Sequence, residues 1–318
     1  RISQPIGDNG DFASLAIHYN ENRNAFYRNP TLAQWRQYKD QFENDSRCVR
    51  PLAVAGTAQN DSTQSNFVNF LGQIGVGSCT NYYNVRINPS NTGNVRGQFK
   101  YHILDNLIFT FDPSLQYVLA NGGGYTVVSE TDNRLKGIAG PTGPGRDLNG
   151  DGDTLDSVQL YTPNLTNTHR YSINSSLIWE INGSNRVRFA YARDYARHRQ
   201  SAEWSPVDQN GNPQDVFGGK SGFGPRVSTN DGNILRGRDR FSIAQLDMFA
   251  AEYSGKFFDN ALEVRLGLRA PYFKRELNQF CYSQNGTNSV LCTTQPIATT
   301  LANGNVQFAG NTLSLIHI

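Results

Sequence analysis

The stretch Leu107-Ile-Phe-Thr-Phe-Asp-Pro-Ser-Leu-Gln-Tyr-Val-Leu119 decides the fold class. Its odd positions, Leu107, Phe109, Phe111, Pro113, Leu115, Tyr117 and Leu119, are all apolar, and Thr110, Asp112, Ser114 and Gln116 alternate with them. Successive side chains of a strand point to opposite faces, so this period of two predicts a strand with one apolar and one polar side. Upstream, Phe99, Tyr101 and Ile103 share one face and Arg96, Gln98, Lys100 and His102 the other. Asp105-Asn106 between the two runs is a tight hairpin turn. Outward from this hairpin the pattern repeats. Tyr171, Ile173, Leu177, Trp179 and Ile181 lead through Asn182-Gly-Ser-Asn185 to Val187, Phe189 and Tyr191. Phe249, Ala251, Tyr253 and Phe257 lead through Asp259-Asn260 to Leu262, Val264, Leu266 and Leu268. Asp8-Asn9-Gly10 opens a strand through Ala13, Leu15, Ile17 and Tyr19, and a last strand is expected from Val306. Pro113 has no N–H for a ladder, so it must sit at a bulge or at disturbed pairing.

Composition narrows the class. The chain has 318 residues, of which 37% are hydrophobic, and no run of about 18 apolar residues exists to form a membrane helix. The aromatic share of 11% is too much apolar surface for a disordered chain. A net charge of +2 gives no electrostatic case for nucleic acid. With one Met and few Ala/Leu/Glu/Lys runs, a helical bundle is disfavoured.

The turns are short, whereas the other connections run roughly over 21–92, 121–167, 198–240 and 271–303. Compact domains seldom hold loops beyond about 12–15 residues. If strands alternate up and down, every short turn lies at one end and every long loop at the other. That is the plan of an outer-membrane barrel with periplasmic turns and extracellular loops. The apolar face would meet lipid, and Arg170, Arg186, Arg188 and Arg265 would face the lumen. Phe109, Trp179, Phe189 and Phe257 near the turns, and Tyr101, Tyr117 and Tyr171 toward the loops, resemble two interfacial girdles. Arg193 shares parity with the lipid face, so its strand must be leaving the membrane there. The rival on alternation alone is a soluble sandwich with one buried face. The fold expected is all-β, a part of a large antiparallel transmembrane barrel with about eight strands visible. Its domain would span 1–310; Leu313-Ser-Leu-Ile-His-Ile318 breaks the pattern, and 311–318 reads as a non-native tail. Both ends read as cuts.

Three further phrases carry a resemblance. They are Gln245–Phe258 with Ala261–Cys281, Ile17-His-Tyr-Asn-Glu-Asn-Arg-Asn-Ala-Phe-Tyr-Arg28, and Arg146-Asp-Leu-Asn-Gly-Asp-Gly-Asp-Thr-Leu-Asp156. They resemble the barrel of TonB-dependent outer-membrane receptors, over most of residues 11–310. The resemblance implies a 22-stranded barrel with an N-terminal plug, a ligand bound at the loops and plug apex, and uptake driven by the TonB energy-coupling complex through that plug. On that resemblance, the plug, the coupling segment and the closing strand are expected outside this sequence. Expected partners are a small-molecule or oligosaccharide ligand, the coupling complex and outer-membrane lipid. The rivals are a passive porin and a secreted β-rich carbohydrate-binding protein or hydrolase. A hydrolase would need paired carboxylates at one cleft. Asp112, Glu180, Glu252 and Glu263 face the presumed lumen, but no catalytic constellation is visible and no enzyme is expected.

Candidate sites lie in the long connections. Cys48 and Cys79 fall in the first, Cys281 and Cys292 in the last, which suggests the disulfides Cys48–Cys79 and Cys281–Cys292 in an oxidising compartment; the alternatives are free thiols or metal ligands, and no paired C-x-x-C spacing favours zinc. Asp147, Asn149, Asp151 and Gly152 match the first half of a calcium loop, with Asp153 beside them. Position 12 is Val158, so Asp156 would have to close the site around a structural Ca2+; otherwise the segment is a turn-rich loop. No cofactor is required. Pro30–Phe42 has helical spacing, with Trp35 as its packing anchor on the barrel mouth. Arg197, His198, Arg199 and Trp204 are expected to begin one loop, and Tyr272 and Arg275 another. These residues could hold an anionic chelate or stack on a sugar.

Overall fold

The structure, a computed structural model, describes residues 1–218, 224–280, 282–283, 292–294, 296–300, 302, 306–308 and 311–314. Eight strands form one antiparallel meander: β1 (Ile2–Ile6), β2 (Asp11–Asn22), β3 (Ser90–Leu104), β4 (Leu107–Gly122), β5 (Asn164–Asn182), β6 (Asn185–Glu203), β7 (Arg236–Phe257) and β8 (Leu262–Gln279). Each pairs only with its neighbours in sequence, so β1 and β8 are open edges and the sheet is not closed. No described helix is long and apolar enough to cross a membrane.

Register carries the alternation across the sheet. Tyr101, Phe109, Leu177, Phe189, Ala251 and Leu268 stand opposite one another from β3 to β8 and form one apolar row. The neighbouring row, Thr110, Ser176, Ala190, Ala250 and Arg269, belongs to the other face. A one-residue slip in any strand would exchange the faces, so this pattern holds the register. A sandwich would bury the apolar face, yet Phe189 is 55% exposed, Trp179 46% and Leu268 78%. The described residues leave that face bare.

Pro113 pairs with Ile173 on its β5 side, but the β3 ladder omits the Gly97 and Gln98 positions opposite it. Pairing is disturbed there without a register shift. Gly97 makes room: a Cβ on it would lie 3.0 Å from the Pro113 ring. Arg193 marks the end of the apolar surface. It stands opposite Asp247 and is ion-paired to it at 3.2 Å, while the Tyr191 hydroxyl donates to the same carboxylate at 2.7 Å.

The strands run further than their apolar stretches predict. β6 continues to Glu203, β7 starts at Arg236 and β8 continues to Gln279. Backbone pairing does not need apolar side chains, so the ladder persists where the faces turn polar. The long connections shrink accordingly to 23–89, 123–163 and 204–235. Val306–Phe308 belongs to a separate small sheet with Ile297–Thr300 and Asn311–Ser314; the eighth strand of the meander is instead Ile2–Ile6.

The three long connections build a cap, and the protein's hydrophobic core is there. Val128, Leu135, Val158, Leu160, Trp204, Val227 and Leu235 form its largest buried cluster. Tyr125–Ser129, Ser157–Tyr161 and Ser205–Pro206 make a three-stranded sheet that joins the second connection to the third. Arg50 of the first connection is ion-paired to buried Asp61 at 2.7 Å and donates to the Val207 carbonyl at 3.2 Å. Asp61 also accepts from the Gln159 N–H at 2.6 Å. Three sequence-distant segments thus share one polar knot. The predicted helix forms over Leu32–Tyr38, where the Thr31 hydroxyl and Gln34 side chain make a reciprocal cap. Trp35 is 52% exposed and is not its anchor. Tyr38 and Phe42 take that role, packing on Phe70, with the Arg28 guanidinium over Phe42 at 4.3 Å.

Candidate functional site

The polar face of the meander is a trough that leads up to the cap. Part of it, about 480 Å³, is lined by Ser14, Arg96, Gln98, Asp112, Gln116 and Arg170 among others. Arg170 donates to Asp194 from Nε at 2.9 and 2.8 Å, and Ser114 and Ser172 lie 2.6 Å apart. Glu180 stands opposite Arg186, and Glu252 opposite Arg188. These two carboxylates each stand opposite a cation on the neighbouring strand.

The six sequence-predicted ligand residues divide between places. His198 and Arg275 are within strands β6 and β8, not in loops, because the ladder continues past them. Alternation puts both on the polar face. Arg197, Arg199 and Tyr272 fall on the opposite face. Arg197 lies over the Phe241 ring at 5.4 Å, and Arg199 is ion-paired to Asp239 and lies over Phe280 at 5.3 Å. Trp204 is buried in the cap core with the Arg134 guanidinium 5.3 Å from its ring, which closes it to a ligand. Two arginines that sequence reasoning missed, Arg238 and Arg240, join His198 and Arg275. Both sat in what reads from sequence as loop, and the start of β7 has too little alternation to place them.

The acidic loop has a different surprise. Asp147 accepts backbone N–H groups of Asn149, Gly150 and Gly152, so it shapes the loop. Glu130, Asp153 and Asp156 bring carboxylate oxygens within 4.8 Å of one another. Glu130, from outside the motif, and Asp156 are both essentially fully buried. One Asp151 oxygen is also buried and without a hydrogen-bond partner. Asp156 and Asp153 of the motif thus meet Glu130, which comes from outside it; nothing local to the motif signals Glu130. Burial pushes the Glu130 carboxyl above its ordinary range, although the Leu148 and Asp156 N–H groups donate to it. An oxygen-only donor set fits a hard cation such as Ca2+. Ca2+ is therefore expected to raise the thermal stability of the cap by about 1–3 kcal/mol at saturating excess, and Glu130→Gln to abolish that response. A melting temperature indifferent to Ca2+ in the unmutated protein would mean that backbone N–H groups alone hold these acids.

Cys48 and Cys79 are bonded and buried beneath Tyr82 and Val85. Cys281, one half of the expected Cys281–Cys292 pairing, lies outside the described residues, as does 315–318 of the tail. No protein family, curated protein or solved structure matches the chain.

Proposed function

We propose that the chain is wall and extracellular cap of an outer-membrane β-barrel of the TonB-dependent receptor type, and that it serves the uptake of a scarce nutrient. One observation carries the membrane reading: the broad apolar face of the meander is bare, while the protein's core is packed elsewhere, in the cap. A water-exposed apolar surface of that extent marks an interface, and lipid is the partner that needs no complementary shape. The strands, 15 to 22 residues long from β3 to β8, exceed the about 9–11 that a bilayer requires. The short turns sit at one end and the cap at the other, as such a wall demands. Uptake coupled to TonB rests on the sequence resemblance, and the cap and polar trough supply a place for the ligand.

Tryptophan quenching tests the reading. Trp179 is on the apolar face, Trp204 in the cap core and Trp35 on the cap surface. In vesicles containing brominated lipid, the emission of the full chain is expected to fall, and Trp179→Phe to remove most of the quenching. A chain that stays monomeric in detergent-free buffer and is not quenched would favour the secreted β-protein instead.

A further inference from the structure

Charges at the cap end of the sheet are balanced on one face and unbalanced on the other. On the apolar side, Arg193 is ion-paired to Asp247, Arg199 to Asp239 and Lys274 to Glu276. Where the sheet meets the cap, Arg226 and Arg236 share buried Glu203. Asp194 of the polar face is taken by Arg170. None of these pairs involves Arg238, Arg240 or Arg275. Among the described residues none of the three is in an ion pair. Arg238 donates only to the Leu165 carbonyl at 3.0 Å, and its buried Nε has no partner. Arg240 donates to the neutral Gln200 amide. The sequence from Leu277 to Ile318 contains no Asp or Glu, so that segment brings no counter-charge either.

These arginines converge. His198 stands opposite Ser242, Gln200 opposite Arg240, and Arg275 opposite Ala244, so His198, Arg240 and Arg275 lie on three adjacent strands within two residues of the His198 level, and Arg238 lies one same-face position beyond Arg240 on β7. His198 is held with Nδ1 2.7 Å from the Thr168 hydroxyl. Its pKa is lowered by burial first, and then by the charges of Arg238, Arg240 and Arg275. The cluster lies beyond the Arg193 level, clear of the apolar band.

We infer that His198, Arg238, Arg240 and Arg275 form a binding site for a multivalent oxyanion, a small molecule bearing several carboxylate or phosphate groups, at the cap end of the polar face. This rests on the reading of that face as a ligand-lined lumen. Guanidinium forks match carboxylate and phosphate oxygens in pairs of hydrogen bonds, and three like charges held together without a counter-ion favour an anion that bridges them. Neutral imidazole adds a single donor or acceptor and no further repulsion.

The test is calorimetric titration of the full chain, in the detergent or bilayer in which it folds, with citrate and with pyrophosphate, and sucrose as the neutral control. Binding of at least one anion is expected, weakening with added salt. Arg238→Gln and Arg275→Gln should each weaken it by about tenfold or more, and Arg275→Lys by less. Arg186→Gln, on the same face but beside a turn, should leave it unchanged. Anion binding insensitive to both glutamine variants, or none by either anion, overturns the site. Trp179 quenching read on the same samples keeps the two readings apart: quenching intact with anion binding absent counts against the oxyanion site alone. A preference for one anion identifies the ligand as carboxylate or phosphate.

Discussion

Removing the Cys48–Cys79 bridge, as Cys48→Ser with Cys79→Ser, is expected to destabilise the cap by about 3–4 kcal/mol while the sheet keeps its hydrogen bonds. The bond closes a sequence separation of 31 residues, and the chain-entropy estimate for a loop of that length is of this size. Its surroundings add to the loss. Both cysteines are fully buried with Tyr82 and Val85. The Asp208–Asn212 turn of another connection presses against them: a Cβ on Gly211 would lie 2.8 Å from the Cys48 sulfur. The Tyr82 hydroxyl donates to Asn212 at 2.6 Å. Loss of the bridge should therefore loosen two connections together. Hydrogen exchange is the measurement. Amides of 45–85 and 208–213 should lose protection, while those around Phe189 and Leu268 keep theirs. Unchanged protection at Tyr82 and Gly211 would show that packing alone holds the cap.

The cap was the part least legible in the sequence, for a physical reason. The meander is a repeating local code: two-residue periodicity, short turns, and pairing between neighbours. Leu107–Leu119 could be read alone, and the structure places it in β4 with its faces as read. The cap has long-range contacts and no period. Asp61 meets Gln159 and Arg50 meets Val207 across the whole cap, and such pairs leave no spacing to find. The limits of β6 and β8 were misjudged because apolar alternation marks only the part of a strand with one apolar face, and backbone pairing goes on beyond it. That error turned strand residues His198 and Arg275 into expected loop residues and concealed Arg238 and Arg240. Trp204 was misread because an aromatic beside arginines looks alike whether it is packed against one or open to a ligand; only its 6% exposure separates the two. Glu130 could be found only through burial, since an isolated glutamate carries no motif.

Two arginine substitutions in one strand separate a lipid-facing wall from a water-soluble sheet. Leu177 and Asn174 both belong to β5 and point to opposite faces. Leu177 stands between Phe109 and Phe189, and Asn174 between Asp112 and Ala192. In bilayers, Leu177→Arg is expected to cost about 2–4 kcal/mol, as for a cation at the midplane of a barrel wall. Asn174→Arg should cost well under half of that, because its charge enters a polar trough beside Asp112. The measurement is reversible urea unfolding in lipid vesicles. The soluble reading makes the contrary forecast. With the apolar face bare to water, as the described residues leave it, Leu177→Arg would be nearly neutral and would improve solubility. If a second sheet outside this chain covered the face, the cost would appear equally in buffer without lipid. A large penalty that exists only in the bilayer is the outcome that ties the apolar face to lipid, because it requires the same side chain to be free in water and excluded from its surroundings in the folded, membrane-bound state.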